Sequence, residues 1–255
     1  EYEDVEFVNE GVKIFVKRSK TDQSGEGMIK GIPYFDNKDF CPVISLKKWI
    51  DHTKLKSGKD FFLAFSPERL AEGKAIYEFM NFPIVIGSTS EISIKKVSNF
   101  WESNLDIETI KINSYKGAEL TKLADNLWID VNIALANSLS LICYENDVDV
   151  NQVINAANSL PKGDSNVNVL RSSIGVGGSC LTKDPLFFAN LMDESSYDSS
   201  MIRNAREMND SMPNIYQSKI QDWIDQEQSD EPRICIFGTA FKNNTNDLRY
   251  SPIIE

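Results

Sequence analysis

Tyr115-Lys116-Gly117-Ala118-Glu119-Leu120-Thr121-Lys122-Leu123-Ala124-Asp125-Asn126-Leu127 opens the segment whose periodicity decides the fold. From Tyr115 to about Asn146, Leu120, Leu123, Leu127, Val131, Ala134 and Leu141 or Ile142 recur at three- and four-residue steps, the spacing of one apolar helix face. The spacing predicts one long helix with Gly117 in its opening turn. Glu119, Lys122 and Asn126 fall at i, i+3 and i+7, so their side chains line one side of that helix. Such a polar stripe is ordinarily a wet face, and Glu119 is placed to pair with Lys122.

Working outward toward the N-terminus, Phe61–Phe65 reads as a buried strand stopped by Ser66-Pro67, and Ile84-Val85-Ile86 as a second strand ending at Gly87. Residues 91–103 have amphipathic helical spacing and lead to a strand near Ile107–Ile112. This α/β alternation predicts a parallel sheet with helices on its faces, whose ligand sites lie beyond the carboxyl ends of the strands. Ser66-Pro67-Glu68 would occupy such an end. A helical pattern runs from Ser45 to about Lys54, and residues 1–40 are polar and weakly patterned, with Val12–Val16 as a single candidate strand.

Toward the C-terminus, helical stretches are expected at about 150–158, 184–192 and 199–226. The polar run Asp225–Pro232 has the composition of a linker, and Arg233–Gly238 reads as a fresh strand opening a further domain. That domain stops at Glu255, too soon to close a core, so the chain reads as cut through a larger protein. The expected organisation is α/β: a partial parallel-sheet domain at 1–112, a central all-α domain at 113–226, and the start of a second α/β domain at 233–255.

Composition narrows the function. The chain has 255 residues, 41% of them hydrophobic, which is enough for a real core. A net charge of −11 disfavours a nucleic-acid partner. No apolar run approaches the roughly 20 residues that cross a bilayer, and Glu1-Tyr2-Glu3-Asp4 is unlike a basic signal-peptide start, so no membrane partner and a cytoplasmic location are expected. Cys41, Cys143, Cys180 and Cys235 are scattered without C-x-x-C spacing, and His52 is the one histidine, so neither a zinc site, a disulfide framework nor a histidine-based triad is indicated.

The chemistry is concentrated in Gly175-Val176-Gly177-Gly178-Ser179-Cys180-Leu181-Thr182-Lys183-Asp184-Pro185. Glycines let backbone N–H groups turn toward a bound oxygen and keep side chains away from a substrate, while a nearby cation favours the thiolate of Cys180. The plain alternative is a turn holding a small buried cysteine. Glu68 could likewise cap a helix starting after Pro67, Asp184 could cap one beginning at Pro185, and Lys242 and Arg249 could be solvated loop charges.

Four motifs occur in one order: Phe65–Gly73, Glu119–Asn126, Gly175–Asp184 and Gly238-Thr239-Ala240-Phe241-Lys242-Asn243-Asn244-Thr245-Asn246-Asp247-Leu248-Arg249. Together they resemble the UDP-glucose/GDP-mannose dehydrogenase family, from about Leu55 to the C-terminus. Ala71-Glu72-Gly73-Lys74-Ala75 and Ala205-Arg206-Glu207-Met208-Asn209-Asp210 look most like the branch that oxidises UDP-N-acetylmannosamine to its uronic acid. The resemblance implies an N-terminal NAD-binding Rossmann-like domain, a central helical domain that makes a homodimer through the helix at 115–146, and a C-terminal domain for the UDP part. Residues 1–54 have no counterpart, no G-x-G-x-x-G follows a strand near the N-terminus, and Ser172-Ser173-Ile174 stands where members often have a proline and a glycine.

The reaction implied is a four-electron oxidation of the sugar's primary alcohol to a carboxylate with two NAD molecules. By resemblance Cys180 is the nucleophile that forms a thiohemiacetal and then a thioester. Lys122 and Asn126 stabilise the developing oxyanion, Asp184 orders a water or takes protons, and Glu68 serves thioester hydrolysis. Glu72, Leu70, Ala71, Gly177 and Lys242 are implied sugar or UDP contacts, and Lys183 and Arg249 cofactor contacts. The missing glycine fingerprint leaves two other expectations: that the chain alone does not sustain NADH production, and that it is a degenerate member serving as a dimeric binding or assembly protein. A cofactor-free cysteine hydrolase or transferase would lack a histidine base and have to use Lys122.

Overall fold

The computed structural model describes residues 5–16, 28–34, 41–53, 61–163, 165–227 and 231–254. The chain divides into two compact units, Glu1–Phe62 and Leu63–Glu255. In the first, β1 (Val5–Val8), β2 (Gly11–Val16) and β3 (Met28–Pro33) form an antiparallel sheet in that order, joined by helix α1 (Pro42–Thr53). Val12, Cys41 and Val43 are its buried centre, with Phe7, Ile14, Ile32 and Ile44 packed around them. One strand is expected here from the alternation at Val12–Val16, and three are found. Its partners lack a clear period-two pattern, and pairing in the sheet supplies what local sequence does not.

The second unit starts with a small parallel element. β4 (Ile84–Gly87) pairs with β5 (Thr109–Ile112), Ile84 opposite Thr109 and Gly87 opposite Ile112, with α3 (Glu91–Leu105) as the crossover. Val85 and Ile86 are buried, and α3 is capped where the Ser90 side chain accepts from the Ser93 N–H. The expected buried strand Phe61–Phe65 is not one. It meets β4 only at an isolated antiparallel bridge between Phe65 and Gly87, and Leu63 is 53% exposed. α2 (Ala75–Asn81), a short helix without a side-chain cap at Lys74, is not foreseen in the sequence.

The long helix α4 runs Tyr115–Glu145, with the Ser114 hydroxyl accepting from the Gly117 N–H. Gly87 lets it approach β4: a Cβ there would lie 2.5 Å from both Ser114 O and the Ala118 Cβ. α5 (Val150–Asn158), α6 (Asp184–Glu194) and α7 (Ser200–Glu227) follow close to their expected places. α4, α6 and α7 pack on one another around Ala134, Ala189, Ile202, Ala205 and Met212.

Contrary to the expectation of no sufficiently long apolar stretch, α4 is long and apolar enough to cross a membrane by length and composition. Its inner face, however, carries the buried polar residues Asn126, Asp130 and Asn137, each hydrogen-bonded to α6 or α7. It is thereby a core helix of this bundle. The expected strand at Arg233–Gly238 is absent. That segment forms no ladder, because no described strand lies alongside to hydrogen-bond it, and Ile234, Ile236 and Phe237 are exposed.

Candidate active site

Two segments are held to the first half of α4, the one after Phe65 and the start of α6 behind the Cys180 turn. The stripe foreseen at Lys122 and Asn126 is not a wet face: Asn126 is buried, and its amide donates to Asp184 Oδ2 at 2.6 Å. Asp184 starts α6, and its other carboxylate oxygen takes the ammonium of Lys183. It does not cap that helix, for Lys183 holds the N-cap position and no side-chain cap bond forms. The Asp184 N–H donates to Cys180 O at 2.9 Å and the Lys183 N–H to the same oxygen at 3.2 Å, closing the Cys180 turn against α6.

Cys180 itself is exposed, which removes the reading of a buried packing cysteine. The glycines before it also have a packing role that the sequence does not announce. A Cβ on Gly177 would sit 2.3 Å from Tyr250 O and 2.6 Å from the Phe241 Cβ, and one on Gly178, at φ +87°, would meet the Phe241 ring at 2.8 Å. Their missing side chains make room for the 238–252 segment, and the Gly178 N–H donates to Arg249 O at 3.1 Å.

The segment after Phe65 is pinned to α4 as well. Arg69 Nε meets Asp125 Oδ2 at 2.6 Å, and Lys122 Nζ lies 4.0 Å from Glu68 Oε2. No helix starts after Pro67, so Glu68 caps none; its Oε1 accepts from the Leu70 N–H in a tight turn. The Ala71 N–H donates to Glu78 Oε2 at 2.6 Å, fixing the backbone of Leu70 and Ala71 against α2. Ser66, Glu68, Leu70, Phe79, Phe82 and Trp101 line a cavity of about 440 Å³ on this side. A larger one, about 580 Å³, lies between Tyr144, Asp149 and Trp223 and shares no residue with the site.

Arg249 ties these pieces together. Its guanidinium pairs with Asp247 and reaches Glu72 at 3.6 Å. The side-chain and then the backbone hydrogen bond from Arg249 hold the Asp247 carboxyl down at about 2. Arg249 is raised chiefly by Asp247, with smaller contributions from Glu72 and from Cys180, which puts the thiol within electrostatic reach of the guanidinium. Lys242 is exposed in the turn after Ala240. The structure thus pairs Lys122 with Glu68, joins Asn126 to Asp184 and Lys183 one helical turn along α4, and sets Glu72 and Arg249 together where they border the Cys180 loop.

Sequence reasoning missed the partners. Asp125, Glu78, Asp247, Asp130 and Arg206 all hold site segments, and Asp130 had a signal: a carboxylate one turn beyond Asn126 inside an apolar helix. Asp130 is fully buried and burial pushes its carboxyl up, an effect the Arg206 guanidinium at 2.5 Å only partly offsets.

Residues 116–211 match the central domain of the UDP-glucose/GDP-mannose dehydrogenase family. The chain is 36% identical over 201 residues to the UDP-N-acetyl-D-mannosamine dehydrogenase of Methanocaldococcus jannaschii, an alignment covering 79% of this chain and 44% of that protein. It is 35% identical to the enzyme of the same name from Escherichia coli K12, covering 77% of this chain and 46% of that one. Among solved structures, the UDP-D-ManNAc dehydrogenase of Pyrococcus horikoshii matches at 32% identity and a TM-score of 0.69, over 82% of this chain and 48% of that one. The chain spans less than half the length of each of these relatives. Over residues 116–211 it is a member of the UDP-glucose/GDP-mannose dehydrogenase family, whose central domain those residues match.

Proposed function

We propose that this chain serves the NAD-dependent four-electron oxidation of a UDP-sugar primary alcohol to the uronic acid, with UDP-N-acetyl-D-mannosamine as the substrate. The observation that carries the reading is the buried Asn126–Asp184 hydrogen bond, which ties the α4 stripe to the turn bearing an exposed Cys180. The relatives' names and their identity of 35–36% support the choice of sugar.

In this reading the alcohol carbon is first oxidised to an aldehyde. The Cys180 thiolate adds to that carbon, forming a C–S bond and an alkoxide. Lys122, a cation, and Asn126, a neutral donor one helical turn along, balance the charge on that oxygen. A second oxidation gives the thioester, and water cleaves the C–S bond to release the carboxylate and restore the thiolate. Asp184 receives protons or orients the water, and Glu68, 4.0 Å from Lys122, serves that hydrolysis. Two nicotinamide dinucleotides, bound in turn, would supply the hydride acceptors, one for each oxidation. Arg249, 62% exposed at its side chain, and Lys183 are the cations that would meet its phosphates.

Leu70, Ala71, Glu72, Gly177 and Lys242 are assigned to the sugar and the UDP. The β4–α3–β5 element is assigned to a Rossmann-like domain ending near 112, residues 113–226 to the central domain, and 233–255 to the opening of the UDP-binding domain. A homodimer through 115–146 fits the exposed side of α4, where Trp128, Leu135 and Ile142 recur every seven residues at 47%, 50% and 66% exposure. A reduced, reactive thiol agrees with work in the cytoplasm. Calorimetric titration with UDP-N-acetylmannosamine, UDP-N-acetylglucosamine, UDP-glucose and GDP-mannose tests the reading: the first is expected to bind tightest. Absence of binding to all four, and to NAD, would instead favour a dimeric assembly protein.

A further inference from the structure

Arg206 lies in the second turn of α7, 4% exposed, with its guanidinium among acceptors from α4, from α7 itself and from the Cys180 turn. Nη1 donates to Asp130 Oδ1 at 2.5 Å and to Leu181 O at 3.3 Å, while Nη2 donates to Asp210 Oδ1 at 2.7 Å. Asn209 Nδ2 adds bonds to Asp130 O at 2.9 Å and to Asp130 Oδ1 at 2.8 Å. Leu181 follows Cys180 directly, and Asp130 stands one helical turn beyond Asn126 on α4. The Cys180 turn is therefore held to one face of α4 at two points: through Asn126 and Asp184 on one side, and through Asp130, Arg206 and the Leu181 carbonyl on the other.

We infer that Arg206 is a positioning residue for Cys180, acting through the carbonyl of Leu181, with Asp130 as the buried anion that aims it. A pair present only for stability is expected to satisfy both carboxylate oxygens, because burying two charges is costly. Asp130 Oδ2 is buried and makes no hydrogen bond among the described residues, so the carboxylate is oriented toward the guanidinium at the expense of its own second oxygen. A planar fork is also needed. A lysine ammonium keeps the charge but cannot address Asp130, Asp210 and a backbone carbonyl in this fixed geometry. The inference deepens the function proposed above by naming what sets the nucleophile's position, but its geometry does not depend on any substrate.

The test follows amide hydrogen exchange at Lys183 and Asp184, whose N–H groups both donate to Cys180 O, together with the 13C resonance of the Leu181 carbonyl. In R206K, both amides are expected to exchange about tenfold faster, the factor for losing one ordinary net hydrogen bond, and the Leu181 carbonyl resonance to move. Amides in the C-terminal halves of α4 and α7 are expected to keep their wild-type rates. D130N keeps the guanidinium but removes the charge that aims it, so a smaller increase at the same two amides is expected. An R206K protein with unchanged Lys183, Asp184 and Leu181 signals would overturn the inference, as would an increase spread evenly over α4, α6 and α7. If R206K does not fold, unchanged protection in D130N overturns it equally. No sugar or cofactor enters the measurement, so its failure is separate from failure of the proposed reaction.

Discussion

Asn126 and Asp184 are 58 residues apart in sequence, and the amide of the first donates to the carboxylate of the second across 2.6 Å in the interior. One residue belongs to the long helix and the other to the first turn after the cysteine loop, so this contact makes two separate motifs into one site.

Removing that donor leaves a buried carboxylate oxygen without its partner. N126A is expected to lose about 1–3 kcal/mol of stability, read from the urea midpoint at unchanged slope. N126D sets two carboxylates together and is expected to lose more at pH 7 than at pH 4, where one of them can take a proton.

The thiols should separate into two pairs. Cys180 and Cys235 are exposed, whereas Cys41 and Cys143 are buried. Titration of native protein with a chromogenic disulfide is expected to show two fast-reacting thiols, with the other pair appearing only in denaturant.

Gly177 is the close-approach point of the cysteine loop. G177A would place a methyl 2.3 Å from Tyr250 O, a backbone atom that moves only with its segment. The expected result is a loss of about 1–3 kcal/mol from overpacking and faster proteolysis within 238–252, read by mass spectrometry of the fragments.

Asp247 gives a pH signature. Its carboxyl is depressed from 3.8 to about 2 by hydrogen bonds from Arg249, so its contribution is fully present above the unfolded value and is lost as pH falls from near 4 through about 2. Wild type should exceed D247N in melting temperature by a constant margin above pH 5. That margin should shrink below pH 4 and be gone near the bottom of the range.

The helices were legible because an apolar face repeats every three or four residues whatever surrounds it. α4, α5, α6 and α7 fall within a few residues of the periodicity, and Ser114 and Asp149 cap two of them as their residue types suggest. The strands were not, since a strand needs a partner that local sequence does not name. Phe61–Phe65 and Arg233–Gly238 have strand composition, but the first carries isolated bridges at Phe61 and Phe65 rather than a ladder and the second pairs with no described strand. The same reason divides the candidate site. Lys122 and Asn126 could be placed on one side of a helix from spacing alone. Their partners Glu68 and Asp184, and the pairs Arg69–Asp125 and Asp130–Arg206, join residues 56 to 76 positions apart in the two pairs and had to be seen in three dimensions. The Asp184 cap was a fair reading of Asp-Pro before a helix, and tertiary pairing took its oxygens instead.

The central claim is that a UDP-sugar is processed at Cys180. Its most direct test is the rate of iodoacetamide alkylation at each cysteine, mapped by peptide mass spectrometry, with and without saturating UDP-N-acetylmannosamine. The account predicts that the sugar nucleotide slows alkylation of Cys180 about tenfold or more, as expected for a ligand near 10 times its dissociation constant or above, while Cys235 reacts at its unliganded rate. Equal alkylation of Cys180 with and without a sugar nucleotide that calorimetry shows to be bound would contradict it.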